Sequence, residues 1–225
     1  MRRIVLLLLC GILIVPPVYA APCYGTKMPL QNGFFAGGQT YMLLKRYLSH
    51  DAGRIRSTQH FLLVSYGVTD WFSIDLKGGA GNIKQHRPTG DEIDYPMNFA
   101  GGYGFRVRLY NDEKNKIVFG FQHISVHPHT AEVAEPNKAI LDDWQFSLLG
   151  SHAFGRFTPY AGARWSRTDL IHRVFGNKKR YIGDLAKSVG AITGCDIGLT
   201  DKIWINVEGQ FIDAQAAAVS LNFAF

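Results

Sequence analysis

The chain has 225 residues, with 24 Lys and Arg against 18 Asp and Glu, which gives a net charge of +6. Hydrophobic residues make up 47% of the sequence, a share that excludes an intrinsically disordered chain. The positive charge is mild and scattered, so nucleic acid is not an expected partner. Three cysteines are too few for a disulfide scaffold.

The first segment has the pattern of a secretory signal peptide. Arg2 and Arg3 precede an apolar run from Ile4 to Val15, which is shorter than the roughly 20 residues of a spanning helix. Small residues then form a cleavage pattern before Ala21. We therefore expect residues 1–20 to be removed when the protein is exported.

Beyond residue 36 the sequence repeats one pattern, in which about ten residues alternate in polarity and then reach a turn. Successive strand residues point to opposite sides, so each run predicts a strand with one apolar face. Runs of this length suit tilted strands that cross a bilayer. The predicted strands are 37–48, 55–67, 71–82, 97–110, 115–126, 141–154, 157–167, 185–199, 202–212 and 216–225.

The connections between these strands alternate between short and long. The short ones are 68–70, 111–114, 155–156 and 200–201, and the long polar ones are 49–54, 83–96, 127–140 and 168–184. Outer-membrane barrels have short periplasmic turns and longer outer loops. The alternation therefore predicts a periplasmic N-terminal segment at 21–36 and a barrel at 37–225, with both chain ends on the periplasmic side.

The fold class predicted from these patterns is all-β, an antiparallel up-and-down transmembrane β-barrel of about ten strands, with eight as the alternative count. A soluble barrel with its apolar face inward would show the same alternation. Opposite charges on the polar faces, such as Asp75 and Arg106, favour a membrane barrel because they could pair in a narrow lumen.

A barrel of about ten strands has a bore largely filled by side chains, which argues against the transport of large solutes. We therefore expect a structural, surface or lipid-contacting role, and a secreted soluble binding barrel is an alternative. The pattern predicts no cofactor and no metal, and it favours a monomer.

The last residues, Val219–Phe225, resemble the C-terminal strand of bacterial outer-membrane proteins. Gly67-Val68-Thr69-Asp70 and Gly198-Leu199-Thr200-Asp201 are similar to a turn common in such barrels. The resemblance implies an outer-membrane location, recognition of the terminal Phe225 by the barrel-assembly machinery, and outer-membrane lipids with lipopolysaccharide as partners.

The sequence His123-Ile124-Ser125 resembles the His-x-Ser motif of PagL-type lipid A deacylases, which are small outer-membrane barrels. The resemblance implies that His123 is the base, Ser125 the nucleophile and Asp143 the acid that orients the histidine. The motif departs from the family because Val126 stands where the family has Asn, and because it lies in the middle of the chain. An enzymatic role therefore stays open beside a simple polar strand end at the aqueous rim.

Cys23 and Cys195 remain after removal of the leader. The periplasm is oxidising, and Cys195 lies shortly before a predicted periplasmic turn. We expect that a disulfide between Cys23 and Cys195 could tie the N-terminal segment to the barrel; two separate thiols are the alternative.

Overall fold

The computed structural model describes residues 24–49, 53–132, 136–174, 177–182 and 187–225. In this part of the chain no helix is long and apolar enough to span a membrane. The strands are β1 (Phe34–Tyr47), β2 (Arg54–Gly67), β3 (Phe72–His86), β4 (Ile93–Asn111), β5 (Asn115–Val126), β6 (Ala131–Glu132), β7 (Pro136–His152), β8 (Phe157–Val174), β9 (Asn177–Ile182), β10 (Val189–Gly198), β11 (Ile203–Phe211) and β12 (Gln215–Ala224).

Ten long strands form a closed antiparallel barrel. Its order around the wall is β1, β2, β3, β4, β5, β7, β8, β10, β11 and β12, and β1 closes the ring by pairing with β12. The two-residue β6 and the six-residue β9 extend the sheet beside β7 and β8. The predicted count of ten strands and the predicted fold class are therefore confirmed.

In the half of the barrel next to its short turns, polarity alternates along the strands with the polar face inside. In β12, Val219 and Leu221 lie on the outer wall with 46% and 55% of their surface exposed, whereas Ser220 and Asn222 are buried inside. A soluble barrel would have the opposite arrangement. The exposed apolar residues form the belt that a bilayer covers in outer-membrane barrels.

We call the two ends of the barrel the turn end and the loop end. The turn end carries the connections 68–71, 112–114, 153–156 and 199–202 together with both ends of the barrel chain. There the Phe225 amide donates to the Phe34 carbonyl at 3.0 Å, and the two rings stack at 4.7 Å. The two similar turn sequences adopt one geometry, in which Thr69 N donates to Phe72 O and Thr200 N donates to Ile203 O.

The loop end differs from the predicted pattern of long outer loops. Strands β3 and β4 continue into 83–96, β7 already begins at Pro136, and β8 continues to Val174. The prediction ended these strands where the polarity ceases to alternate. Beyond an apolar belt both faces of a strand can be polar, and pairing with the neighbouring strand still satisfies the backbone hydrogen bonds.

Residues 24–31 of the predicted periplasmic segment lie against the inner wall at the turn end. Arg106 of β4 donates through Nη1 to the carbonyls of Tyr24 at 3.2 Å and Lys27 at 2.5 Å. Thr26 Oγ1 donates to Ser151 Oγ at 2.8 Å. These contacts to two strands hold the segment inside the lumen.

Buried ion pairs lie along the inner wall of the lumen. Arg106 Nη2 lies 2.7 Å from Asp75 Oδ1, and Arg164 Nη2 lies 2.6 Å from Asp213 Oδ2. Arg46 of β1 reaches across to β8 and donates to Ser166 Oγ at 2.8 Å. The opposite charges that suggested a narrow lumen therefore do pair inside it.

Towards the loop end the lumen is filled by apolar side chains. One continuous buried cluster draws on β1 to β5, β7, β8 and β12, and includes Tyr41, Ile83, Ile124 and Leu170. Three cavities inside the barrel have volumes of only about 10, 10 and 20 Å³. Each of them has about the volume that a single water molecule requires.

Candidate functional site

The candidate residues on β5 lie on the outer wall of the barrel. Ile117, Phe119, Phe121, His123 and Ser125 share this face, whereas the residues between them are buried inside. Ser125 is ten residues beyond Asn115, the first residue of β5. With a rise of roughly 3.3 Å per residue and a tilt of about 40°, Ser125 lies about 25 Å above the turn end, which is the height of a typical apolar band.

Ser125 forms a polar cluster with side chains of β7 and of the segment after β5. Its Oγ donates to Asp142 Oδ1 at 2.5 Å and lies 2.9 Å from His127 Nε2. On the other side of the carboxylate, His123 Nε2 lies 3.8 Å from Asp142 Oδ1. We call Ser125, His127, Asp142 and His123 the outer cluster.

Asp143, the predicted acid, lies on the opposite face of β7. It accepts a hydrogen bond from Thr168 Oγ1 at 2.7 Å and lines a small interior cavity with Tyr41 and Arg46. The pairing of β5 with β7 places Asp142 opposite Ser125. Adjacent strand residues point to opposite faces, so the carboxylate that contacts Ser125 is Asp142 rather than Asp143.

His127 was not among the predicted site residues, although it lies two residues after Ser125. Residues 123, 125 and 127 have the same parity, and a strand places residues of the same parity on one face. Parity was therefore the signal that could have identified His127. The same signal distinguishes the aspartates, because Asp142 has the parity of the outward-facing Trp144 and Phe146, whereas Asp143 has that of the buried Gln145.

Aromatic rings surround the outer cluster. The His123 ring lies 4.2 Å from that of Trp144 and 5.2 Å from that of Tyr103, and the His127 ring lies 6.1 Å from that of Phe99. Rings in this position form the girdle that outer-membrane barrels present at the membrane interface. The outer cluster therefore lies where the apolar belt ends.

A shallow groove leads from Ser125 along the outer wall. Gly101 of β4 pairs with Ser125, and Gly78 of β3 pairs with Gly101. No heavy atom lies within 4 Å of the position that a Cβ of Gly78 would take, and the Phe99 ring covers Gly101. Ser125 and Gly78 lie roughly 10 Å apart, at about 4.8 Å between neighbouring strands, and the Phe99 ring lies over the groove between them. It lies between Leu76 and Tyr103 on one side and Ala80 and Phe99 on the other.

Basic side chains lie above the outer cluster. Arg180 Nη2 and Arg167 Nε contact the two oxygens of Asp169 at 3.0 and 3.3 Å, and Arg173 is exposed to solvent. Asp169 pairs with Asp142 across β7 and β8. Positive charge therefore lies next to the outer cluster at the loop end.

Cys195 lies on the outward-facing side of β10, between the inward-facing Gly194 and Asp196. Its predicted disulfide partner Cys23 lies outside the described residues. The pairing of the two cysteines, like the leader at 1–20, stays a prediction.

No family model and no curated protein matches the chain. Solved structures do share its fold. The COG4313 outer membrane channel from Pseudomonas putida F1 has a TM-score of 0.50 at 8% identity, covering 92% of this chain and 100% of that chain. Ail of Yersinia pestis has a TM-score of 0.45 at 9% identity, covering 88% and 100%. The outer membrane protease OmpT from Escherichia coli has a TM-score of 0.43 at 12% identity, covering 86% and 94%.

Similarity at this level of identity shows the fold alone. The chain has the fold of an outer-membrane β-barrel, and this fold agrees with the predicted location in the outer membrane. The comparisons do not confirm the resemblance to PagL-type lipid A deacylases.

Proposed function

We propose that the protein is a closed outer-membrane barrel that acts through its outer wall, by contact with the lipids of the outer leaflet. The observation that carries this proposal is the filled lumen. Buried ion pairs such as Arg164–Asp213 lie along its inner wall, and the apolar cluster around Tyr41 and Ile124 fills its loop end. A lumen packed in this way leaves no wide path for a solute.

The outer wall carries groups that can contact lipid. The apolar belt suits acyl chains, and Arg173 and Arg180 lie at the height of outer-leaflet head groups. Guanidinium groups bind phosphates through paired hydrogen bonds. We infer that lipopolysaccharide phosphates contact these two arginines.

The amount of lipopolysaccharide that remains bound after purification in mild detergent tests this proposal. The double variant Arg173→Ala/Arg180→Ala should retain several-fold less lipopolysaccharide than the wild type, because each lost charge removes a charge-assisted hydrogen bond. Arg156→Ala is the matched control, since Arg156 is an exposed arginine at the turn end. Equal retention by the double variant and the wild type would contradict the proposed contact.

The geometry of the outer cluster favours a second candidate, an acyl-ester hydrolase of the outer leaflet. A serine hydroxyl within hydrogen-bond distance of an imidazole and a carboxylate is the arrangement that activates serine as a nucleophile. Here Ser125 Oγ has both partners, His127 at 2.9 Å and Asp142 at 2.5 Å. This candidate is the predicted esterase with His127 in place of His123 as the base and Asp142 in place of Asp143 as the acid.

In this candidate the Ser125 hydroxyl turns from Asp142 to His127, and its proton passes to His127 Nε2 as Oγ attacks the ester carbonyl carbon. A neutral imidazole suits this role because its unprotonated ring nitrogen can accept the proton. Before the reaction, the hydrogen bond to Asp142 fixes the position of Ser125 Oγ. The alcohol leaves with the proton, and water then hydrolyses the acyl-serine to a free fatty acid. The groove from Ser125 to Gly78 would hold the acyl chain.

Mass spectra of lipid A from cells with and without the protein test the hydrolase. Wild-type protein should remove an acyl chain, and Ser125→Ala should leave lipid A intact while the barrel still assembles. Ser73→Ala provides a matched control, because Ser73 is a buried serine on the inner wall. An unchanged acyl pattern in cells that express the wild type would exclude lipid A as the substrate.

A further inference from the structure

A larger cavity lies at the turn end, at the opposite end of the barrel from the outer cluster. Its volume is about 310 Å³, at the lower end of the range for small-molecule sites. It opens between the turns 153–156 and 199–202, and Thr26 and Lys27 of the N-terminal segment form one side. The turn end of an outer-membrane barrel faces the periplasm, so the cavity is open to periplasmic solutes.

Five charged side chains of both signs line this cavity: Lys27, Lys116, Arg156, Asp196 and Asp201. Within the described part of the chain none of them forms an ion pair with another residue. The Lys27 ammonium instead lies over the ring of Trp204, 4.0 Å from its centroid.

Asp196 has an unused hydrogen-bond acceptor. The residue is only 4% exposed, and its Oδ1 accepts a hydrogen bond from Asn206 Nδ2 at 2.8 Å. Its Oδ2 is buried and has no hydrogen-bond partner among the described residues. Buried carboxylate oxygens without a partner are rare because they lose hydration without compensation. Asp196 also lines the cavity, so a turn of its carboxylate presents this oxygen to a donor that enters.

Among the described residues, the two lysine ammonium groups of the cavity also have no ion-pair partner. Burial lowers the pKa of the Lys27 ammonium; the carboxylate of Asp196 opposes this shift, and the charge of Lys116 adds to it. A bound anion would offset the burial and the repulsion between the two lysines. Cationic and anionic side chains therefore line the same cavity, and a ligand that carries both charges can pair with both.

We propose that this cavity binds a small periplasmic zwitterion of amino-acid or dipeptide size. The carboxylate of the ligand contacts Lys27, Lys116 and Arg156, and its ammonium group donates to Asp196 Oδ2. A purely anionic ligand would leave Asp196 unpaired, and a purely cationic one would leave the lysines unpaired. The site is separate from the outer cluster and does not depend on the proposed function.

Calorimetric titration of the full chain, purified from membranes in neutral detergent, tests this site. The probes are glycylglycine, its N-acetylated form, which carries only the carboxylate, and its C-terminal amide, which carries only the ammonium. Glycylglycine should bind saturably, and each capped form should bind roughly tenfold more weakly or worse, because a charge-assisted hydrogen bond is lost. Absence of saturable binding by glycylglycine would overturn the proposal, as would equal binding of the N-acetylated form.

Variants locate the binding on the protein. Lys116→Ala and Asp196→Asn should each weaken glycylglycine binding, and Asp196→Asn should do so without weakening binding of the N-acetylated form. Lys114→Ala is the control, because Lys114 is an exposed lysine in the neighbouring turn and does not line the cavity. Equal loss of affinity in Lys114→Ala would show a general charge effect and contradict the site.

Discussion

Asp142 Oδ1 lies 2.5 Å from Ser125 Oγ on the outer wall of the barrel, at the height where the apolar belt ends. The hydroxyl and the carboxylate face lipid rather than the lumen because β5 and β7 place both residues on their outward side. At this height, the polar pair can contact the head groups or the ester bonds of outer-leaflet lipids.

The two neighbouring aspartates should respond differently to substitution. If the outer cluster hydrolyses lipid, Asp142→Asn should slow acyl release about 100-fold or more, because the carboxylate that positions the reacting groups is lost. Asp143→Asn should leave acyl release within roughly threefold of the wild type, since Asp143 hydrogen-bonds inside the barrel. Quantitative lipid A mass spectra distinguish the two, and a greater loss in Asp143→Asn would contradict this assignment.

Arg106 should matter more for stability than a surface arginine. Arg106→Ala leaves the buried Asp75 carboxylate without its partner, so we expect a loss of about 3–5 kcal/mol in the free energy of unfolding. Urea denaturation followed by heat-modifiable gel migration measures this loss. Arg167→Ala, on the outer surface, should cost less than about 1 kcal/mol. Equal losses in both variants would argue against the lumen network.

Arg106 should also hold the N-terminal segment inside the barrel. Because its guanidinium bonds the carbonyls of Tyr24 and Lys27, Arg106→Ala should release the segment and expose Lys27 to trypsin. N-terminal sequencing of the digested, folded barrel detects this cleavage. Wild-type protein should remain uncut at Lys27, and rapid cleavage of the wild type there would contradict the observed position of the segment.

The terminal Phe225 should affect assembly in cells more than intrinsic stability. Phe225→Ala removes a ring stack with Phe34, which is worth about 0.5–1.5 kcal/mol, while the backbone hydrogen bond between the two residues remains. If the assembly machinery reads Phe225, the amount of folded barrel in the outer membrane should fall several-fold. Phe223→Ala is the control, and quantitative immunoblots of membrane fractions compare the two variants. Equal levels of both would contradict recognition of the last residue.

Strand number and polarity could be predicted from the sequence because the bilayer imposes them. Every strand that crosses the apolar belt must alternate, and residues such as Val219 and Ser220 carry that alternation directly. Beyond the belt water contacts the strands and the constraint disappears. The extension of β7 down to Pro136 consequently left no pattern in the sequence.

The details of the candidate site depended on register and on long-range contacts. The parity of Trp144 and Phe146 places Asp142 on the outward face, and the register of β7 against β5 places it opposite Ser125. The lumen position of residues 24–31 rests on backbone carbonyls that Arg106 reaches from β4. Backbone acceptors are present at every residue, so no side-chain pattern identifies these two.

Conductance across a planar bilayer tests the closed lumen most directly. Wild-type protein inserted into the bilayer should give no discrete current steps, whereas a porin inserted in the same way should conduct. Truncation of the apolar cluster in the double variant Tyr41→Gly/Leu141→Gly should raise the frequency of current steps, because both side chains fill the lumen near the loop end. Stable, discrete conductance of the wild-type barrel would contradict the claim that the protein acts through its outer wall.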